Sequence, residues 1–157
     1  MYELDVPGYK TLRLKHIVFD FNGTLAEGGQ LINGLKNRLC SLNNDLKVHI
    51  VTADTFNTVR QEFSNTEINI EIIDKKSQGI DYKKNFIKEL GKNSVIAVGN
   101  GNNDAKMLNT AELGVAVIGK EGAAVSSILN GDIIVNDIKD VFNIIDNPQK
   151  LIATLRR

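Results

Sequence analysis

Four short segments of this chain carry side chains that are suited to phosphoryl transfer. They are FDFNGT around Asp20, IVTAD around Thr52, DYKKNF with Lys83 and Lys84, and GNGNND at residues 99–104. A carboxylate can attack phosphorus or bind a divalent cation, and a hydroxyl and an ammonium group can hold phosphate oxygens. Turns that contain glycine add backbone N–H donors with no side chain in the way. Together the four segments predict a phosphoryl-transfer site.

The same segments fall at the ends of predicted strands, or in the turns and helix starts that follow them. Strands are predicted for HIVFD, VHIVT, INIEII, SVIAVG, GVAVI and DIIV, because each is a short run of apolar and β-branched residues. Stretches with helical spacing of apolar residues lie between them. This alternation indicates an α/β fold with a mostly parallel sheet and helices on both faces. Ligands bind beyond the carboxyl ends of such strands, so the four segments should meet in one crevice.

The remaining elements follow from the same periodicity. INIEII alternates apolar and polar residues and is predicted near a sheet edge, whereas HIVF and VIAV are continuously apolar and belong at the centre. Residues 2–5 and 10–14, around Pro7 and Gly8, predict a small N-terminal β-hairpin. Predicted helices carry the apolar sets Leu35, Leu39 and Leu42; Phe56, Val59 and Phe63; Phe86, Ile87 and Leu90; Met107 and Leu108; Val125, Ile128 and Leu129; and Ile138, Val141, Phe142 and Ile145; the last helix begins at Pro148.

Composition limits the classes of protein to consider. A chain of 157 residues has the length of one ordinary domain, and we expect residues 1–157 to form a single domain. The 19 basic and 19 acidic residues balance, which disfavours binding to nucleic acid or to a membrane surface. No apolar stretch is long enough for a membrane span, and the first residues do not resemble a secretion signal, so we expect a cytoplasmic protein. Cys40 is the only cysteine, which excludes an intrachain disulfide.

A family resemblance strengthens the chemical interpretation. DFNGTLA, VTAD, a lysine at the head of a helix and GNGNNDAKML resemble, in order and setting, the four motifs of the haloacid dehalogenase superfamily of phosphotransferases. The match spans residues 16–118. It implies a Rossmannoid three-layer sandwich, a Mg²⁺ cofactor and an aspartyl-phosphate intermediate. With asparagine at positions 22 and 100 and the ending KLIATLR, the chain looks similar to the branch called soluble P-type ATPase-like proteins.

The resemblance assigns roles residue by residue. Asp20 matches the nucleophile, Thr52 the phosphate-binding hydroxyl and Asp104 the last acid of the final motif. Lys83 matches the motif lysine because of its spacing from the apolar helix positions that follow, and Lys84 is the alternative. The implied sets are catalytic Asp20, Asn22, Thr52 and Lys83; phosphate-binding Thr52, Ala53, Gly23, Lys83 and Asn103; and, for Mg²⁺, Asp20, Asn22, Asn100 and Asp104.

Two asparagines depart from the family pattern. Asn22 falls on the general acid/base and Asn100 on a magnesium-binding acid. An amide cannot shuttle a proton, and positioned acid/base groups typically contribute about 10²- to 10⁴-fold, so we expect slow hydrolysis. The resemblance then implies three alternatives: a slow phosphohydrolase or phosphotransferase, a phosphoacceptor or regulatory module, or a catalytically silent scaffold.

The spacing between the motifs leaves no room for a cap domain. Residues 21–51 and 53–82 are each used up by the predicted helix, strand and turns. Family members without a cap act on large substrates or cover the site with a neighbouring subunit. We therefore expect a phosphorylated partner of unknown identity, with a macromolecular substrate and a homo-oligomer both left open.

Two other interpretations are disfavoured. Response-regulator receivers place an acidic pair after their first strand and are phosphorylated at the end of a later strand. Here the candidate nucleophile follows the first core strand. The Gly99-x-Gly101 pair suggests dinucleotide binding, but Asp104 stands where a third glycine is needed. His16 and His49 have no metal-ligating neighbour at a useful spacing, and we predict structural roles for both.

Overall fold

The computed structural model describes residues 1–53, 58–74 and 80–157. The strands in these residues are β1 (Tyr2–Val6), β2 (Lys10–Leu14), β3 (His16–Asp20), β4 (Ala26–Glu27), β5 (Gln30–Leu31), β6 (Lys47–Thr52), β7 (Asn69–Ile72), β8 (Val95–Gly99), β9 (Leu113–Val117) and β10 (Ile133–Val135). The helices are α1 (Leu35–Leu42), α2 (Thr58–Glu62), α3 (Ile80–Glu89), α4 (Ala105–Thr110), α5 (Val125–Asn130), α6 (Ile138–Asp146) and α7 (Pro148–Leu155). Short 3₁₀ turns cover Lys92–Ser94 and Asn102–Asp104.

Within the described residues, six strands form the central sheet in the order β10-β9-β8-β3-β6-β7, and every neighbouring pair is parallel. The prediction of an α/β fold with a mostly parallel sheet is therefore confirmed. The alternating strand β7 lies at an edge, and the apolar strands β3 and β8 lie side by side in the interior. Both placements agree with the sequence pattern.

The register of the sheet aligns the chemically important strand ends. Asp20 on β3 is opposite Val51 on β6, one residue before Thr52. On the other side of β3, Phe19 is opposite Val98, one residue before the end of β8 at Gly99. Because all these strands run in the same direction, Asp20, Thr52 and the 99–104 loop emerge at one edge of the sheet.

The sheet is covered on both faces, which makes three layers. Ile17 and Phe19 point to a core that includes α1 and α6, where Phe19 stacks on Phe142 with ring centroids 6.0 Å apart. Val18 and its neighbours on the sheet point to the opposite core, which includes Ile87 of α3 and Met107 of α4. The period-two alternation along β3 thus divides its buried side chains between two helical layers.

The N-terminal hairpin is also confirmed, since β1 and β2 pair antiparallel through all five residues of each strand. A second hairpin, β4–β5, was not predicted, because two-residue strands carry too little pattern to detect. Between β3 and β6 the described chain adds only this hairpin and α1, so no cap domain is inserted there. Phe56, predicted in a helix, lies outside the described residues.

Helix α5 differs from its prediction. Its apolar residues suggested a buried stripe, but Val125 is 70% exposed and Leu129 is 78% exposed, and the buried side chain is Ser127. The helix is anchored instead by polar contacts to the 99–104 loop, since the hydroxyl of Ser127 donates to the carbonyl of Gly101. None of the helices in residues 1–53, 58–74 and 80–157 has the length and apolar character to cross a membrane.

Candidate active site

Lys83 joins the two candidate carboxylates at the carboxyl edge of the sheet. Its Nζ lies 2.6 Å from Oδ1 of Asp20 and 2.6 Å from Oδ1 of Asp104. All three side chains are buried. Lys83 occupies the first turns of α3, one helical turn before the buried Ile87, so the inner face of this helix carries the ammonium group into the crevice. Lys84 makes no ion pair within the described residues, and the geometry therefore favours Lys83 over it.

The pKa values within this cluster reflect burial and mutual charge. Burial, followed by the charge of Asp104, raises the pKa of Asp20 to about 6, although Lys83 and the N–H of Phe21 act in the opposite direction. Burial alone would lower the pKa of Lys83, but the two carboxylates outweigh it and leave that pKa raised. Lys83 is therefore a permanent cation, positioned to hold anionic oxygens.

Asp104 organises the loop after β8. Its Oδ2 accepts hydrogen bonds from the backbone N–H of Asn100, at 3.1 Å, and of Gly101, at 2.9 Å. A Cβ at Gly99 would lie 2.6 Å from the Asp104 carboxyl group, so only glycine permits this approach. Both carboxylate oxygens of Asp104 thus have direct protein partners. Oδ1 binds the Lys83 ammonium group, and Oδ2 binds the backbone of the 99–104 loop.

Asn100 and Thr24 connect this loop to Asp20. The hydroxyl of Thr24 lies 3.3 Å from Oδ2 of Asp20 and 3.3 Å from Oδ1 of Asn100. The amide nitrogen of Asn100 donates to the carbonyl of Gly122 at 3.1 Å. Gly23 has a φ of 80°, and a Cβ there would lie 2.5 Å from the Asn100 amide. The glycine therefore permits both the left-handed turn and the close packing of the two loops.

Thr52 supplies an unused hydroxyl at the same edge. Its side chain is 2% exposed, and its Oγ1 has no hydrogen-bond partner in the part of the chain that the structure describes. A buried hydroxyl without a partner costs stability, so such groups in native proteins often mark a ligand position. This is the hydroxyl that the sequence assigned to phosphate binding.

The other predicted residues surround this centre. Asn22 follows Asp20 by two positions and is exposed, as are Ala53 and Asn103. Asn22 also forms an isolated bridge with Ala26, which anchors the turn to the β4–β5 hairpin. Asp54, the last residue of the IVTAD segment, lies outside the described residues. The roles assigned to these side chains stay predictions.

The donor atoms suit Mg²⁺, which prefers hard oxygen ligands and keeps several waters. Asp20 and Asn100 each present an oxygen within hydrogen-bonding distance of the Thr24 hydroxyl, so the carboxylate and the amide face the same position. No group of three or more His, Cys, Asp or Glu side chains that could hold a metal occurs in residues 1–53, 58–74 and 80–157. A magnesium ion would therefore rely on amide and backbone oxygens beside the carboxylates.

Sequence reasoning missed Thr24. It lies four residues after Asp20 in the motif DFNGTLA, but threonine is common in turns, and nothing in its spacing shows that it will contact two loops. It also missed the contacts of the β4–β5 hairpin with the 119–122 loop. There the N–H of Gly28 donates to Glu121, and Lys120 pairs with Glu27 at 3.1 Å.

The two histidines lie away from this site and contact each other. Nδ1 of His16 is 3.0 Å from Nε2 of His49, and Nδ1 of His49 is 3.0 Å from the amide nitrogen of Asn69. An amide nitrogen can only donate, so His49 accepts at Nδ1 and donates from Nε2 to His16. This arrangement satisfies a neutral His49 and agrees with the predicted structural role.

Comparison with known proteins identifies one family. A family model described as haloacid dehalogenase-like hydrolase matches residues 43–130. An uncharacterised protein of Methanocaldococcus jannaschii is 48% identical over 69 residues, which are 44% of this chain and 74% of the relative.

Solved structures share the fold. The 3-deoxy-D-manno-octulosonate 8-phosphate phosphatase of Moraxella catarrhalis, in complex with magnesium ion, phosphate ion and KDO, has a TM-score of 0.64 and 18% identity, over 91% of this chain and 94% of that one. The cobalt-bound phosphatase of Haemophilus influenzae has a TM-score of 0.68 and 13% identity, over 88% and 90%. The catalytic domain of a CPx-ATPase is 28% identical, with a TM-score of 0.60, over 74% of this chain and 46% of that one.

Proposed function

Since the chain belongs to the haloacid dehalogenase-like hydrolases, we propose that it is a magnesium-dependent phosphohydrolase or phosphotransferase with Asp20 as its nucleophile. The observation that carries this proposal is the position of Lys83, whose Nζ lies 2.6 Å from both Asp20 and Asp104. Burying a cation and two carboxylates costs desolvation free energy that their mutual attraction does not fully return, so such a cluster is weak evidence for a purely structural role. Lys83 contacts Asp20 at the same sheet edge that presents the unpartnered hydroxyl of Thr52, and this arrangement supports a use of both groups in binding phosphate.

The first chemical step uses one oxygen of Asp20. This oxygen attacks phosphorus, and the bond from phosphorus to the leaving oxygen breaks, with its electron pair passing to the leaving group. Lys83 and Thr52 hold the oxygens of the transferring phosphoryl group, on which the charge of the transition state lies. The product on the protein is an aspartyl-phosphate at Asp20.

The second step returns the free enzyme. A water molecule attacks the same phosphorus, the bond to Asp20 breaks with its electron pair returning to the carboxylate, and a proton of the water passes to a phosphate oxygen or to solvent. The amide of Asn22 can neither protonate the leaving oxygen nor accept this proton. Hydrolysis is therefore slow, and formation of the aspartyl-phosphate favours leaving groups that are already weak bases, such as those of acyl phosphates and nucleoside triphosphates.

Magnesium, when bound, would offset the repulsion between Asp20 and the incoming phosphate. We assign it to Asp20, the backbone carbonyl of Asn22, Asn100 and Asp104. Asp104 contacts both Lys83 and the loop directly, so its share in holding the ion is smaller or passes through water. This set carries one negative charge fewer than a set with aspartate at position 100.

The proposed substrate class rests on the absence of a cap between β3 and β6. The described chain there contains no inserted domain that would cover the carboxyl edge of the sheet, which favours a phosphate carried on a large molecule. We propose a phosphorylated cytoplasmic substrate, with a neighbouring copy of the chain as the alternative cover for the site. Neither nucleic acid nor a membrane is required by the residues of the crevice.

A second candidate function is that of a phosphoacceptor whose modified form signals to a partner. The observation that favours it is Asn22, because a missing proton shuttle prolongs the life of the aspartyl-phosphate. The 28% identity to the catalytic domain of a CPx-ATPase is consistent with phosphorylation from a nucleotide. A catalytically silent scaffold is the third alternative.

Phosphorylation by acetyl phosphate separates these functions. The protein is incubated with acetyl phosphate and Mg²⁺, and its intact mass is followed over time, with and without hydroxylamine, which cleaves acyl phosphates. We expect one phosphoryl group on Asp20, and the rate at which it decays after acetyl phosphate is removed separates a hydrolase from a phosphoacceptor.

The matched controls are Asp20→Asn and Asp45→Asn, which change the same atoms inside and outside the crevice. Asp45→Asn should be phosphorylated like the parent protein, and Asp20→Asn should not. If the aspartyl-phosphate decays at least as fast as the protein turns over a generic phosphoester, the result favours a hydrolase. If it decays much more slowly than that turnover, the result favours a phosphoacceptor. Absence of any phosphorylation, with beryllofluoride and Mg²⁺ also failing to bind, would leave only the scaffold.

A further inference from the structure

A basic groove lies at the amino end of the sheet, opposite the candidate active site. It has a volume of about 650 Å³, and its lining includes Arg13, Lys15, Lys88 and Lys92, together with Met1 and Ser94. No acidic side chain lines it. The backbone holds its parts together, since the N–H of Lys15 donates to the carbonyl of Ser94 at 2.8 Å.

The positive charge of this groove is mostly unbalanced. In the part of the chain that the structure describes, Lys15, Lys88 and Lys92 form no ion pair, and the same holds for Lys47 on the neighbouring strand. Arg13 reaches Glu3 at 3.4 Å. The carboxyl end of α3 offers roughly half a negative charge, which cannot balance several lysines.

This concentration of charge is local. The whole chain carries 19 basic and 19 acidic residues, so a surface with several unpaired cations is a departure from its average. The neighbouring His16 responds to the same field: burial lowers its pKa, and the charges of Lys47 and Lys15 lower it further. Such a surface attracts an anionic partner and orients it during encounter.

The chemistry of the lining favours carboxylates over nucleic acid. No aromatic side chain lines the groove, so it has no platform on which bases could stack. Its unpaired cations are lysines, which act as flexible point charges and do not offer the fixed fork with which arginine reads phosphate. The lysine methylenes and Met1 add apolar surface to the lining, which an extended peptide can contact.

We propose that the basic groove docks an acidic polypeptide segment of a partner protein. The groove opens at the end of the sheet opposite Asp20, so a partner bound there leaves the crevice free. A substrate protein could be recruited in this way, or a regulator held, without any contact to the residues that bind phosphate. The proposal does not depend on catalysis, and it stands or fails separately from the phosphatase.

Fluorescence anisotropy with a labelled poly-glutamate peptide tests the docking. The matched variants are Lys88→Glu/Lys92→Glu in the groove and Lys139→Glu/Lys150→Glu elsewhere, which change the net charge equally. We expect the groove variant to weaken binding by about tenfold or more and the control variant to change it little. Binding should also weaken as salt rises.

The remaining outcomes are decisive as well. An oligonucleotide of equal charge that binds as tightly as poly-glutamate would overturn the choice of an acidic polypeptide, and equal losses in both charge variants would reduce the effect to net charge. No measurable binding of poly-glutamate by the parent protein at low salt would overturn the proposal. Circular dichroism checks folding, and Lys88→Gln/Lys92→Gln replaces the reversal variant if that variant unfolds. Phosphorylation by acetyl phosphate should be unchanged in both.

Discussion

The two ends of the central sheet differ in the partners of their polar side chains. At the carboxyl end, Lys83 lies between Asp20 and Asp104, and each charge has an opposite charge at 2.6 Å. At the amino end, His16 and His49 lie 3.0 Å apart, and within the described residues neither imidazole contacts a carboxylate. The same sheet therefore contains a buried ionic cluster and a histidine pair of which His49 is buried and His16 half-buried.

The difference shows that burial alone does not decide the charge of a group. Burial, followed by the charges of His16 and Lys47, lowers the pKa of His49 to about 4, so this histidine is neutral at pH 7. Lys83 is as deeply buried, but its two carboxylates raise its pKa. Charge is retained where an opposite charge lies in direct contact, and it is lost where the neighbours are neutral or of the same sign.

The largest expected effect comes from removing the nucleophile. Asp20→Asn should lower phosphoryl transfer from acetyl phosphate by at least about 10³-fold, because a neutral amide is a poor nucleophile. Release of acetate and phosphate, measured together, reports the loss. Undiminished turnover by the variant would assign the activity to another site.

Replacing the central cation tests both the chemistry and the ionic cluster. Lys83→Met should lower the rate by about 10²- to 10³-fold and destabilise the fold by about 2–3 kcal/mol, because two buried carboxylates lose their partner. Urea unfolding and single-turnover rates measure the two effects. Lys84→Met is the matched control one residue away, and equal effects of both substitutions would contradict the assignment of Lys83.

Restoring the proton shuttle should raise hydrolysis. Asn22→Asp is expected to increase turnover of p-nitrophenyl phosphate by about 10²-fold at saturating Mg²⁺, since a positioned acid/base returns to the crevice. Asn22-Gly23 is prone to deamidation, so mass analysis of the parent protein must accompany the assay. A variant as slow as its parent would mean that proton transfer does not limit the reaction.

A smaller effect is expected on metal affinity. Asn100→Asp should strengthen magnesium binding in the absence of phosphate by about tenfold, because it adds a charge near the ion. Part of the gain is lost, since an aspartate cannot donate to the carbonyl of Gly122. Calorimetry measures the affinity, and tight binding by the parent protein that does not change in the variant would contradict this account.

The smallest effect concerns the neutral histidine pair. The folded pKa of His49 is about 4, against 6.5 in the unfolded chain, so its contribution to stability is complete above pH 6.5 and falls as pH decreases towards 4. Allowing for solvent screening near the exposed lysines, the loss between pH 7 and pH 5 is on the order of 1 kcal/mol. His49→Gln should remove this part of the pH dependence in urea unfolding. An identical pH dependence in the variant would show that the pair does not titrate as described.

The sequence by itself determined the order of elements and the main residues of the crevice. The apolar runs of β3, β6 and β8 and the helical stripes between them are local patterns with a definite period, and each of the strands formed where the pattern placed it. The parallel arrangement then follows from short connections, and it brings Asp20, Thr52 and the 99–104 loop to one edge. Lys83 was favoured over Lys84 by helical spacing, which the burial of Lys83 supports.

Only the tertiary structure decided the contacts between distant segments. The contact of Thr24 with Asn100, the exposure of Val125 and Leu129, and the pairing of His16 with His49 join residues far apart in the chain or depend on what packs against a helix. Sequence periodicity reports the direction of a side chain relative to its own element and says nothing about the neighbour it meets. For the same reason the unbalanced charge of the basic groove is not visible in a chain whose total charge is zero. It arises because folding places lysines from separate strands and α3 on one surface.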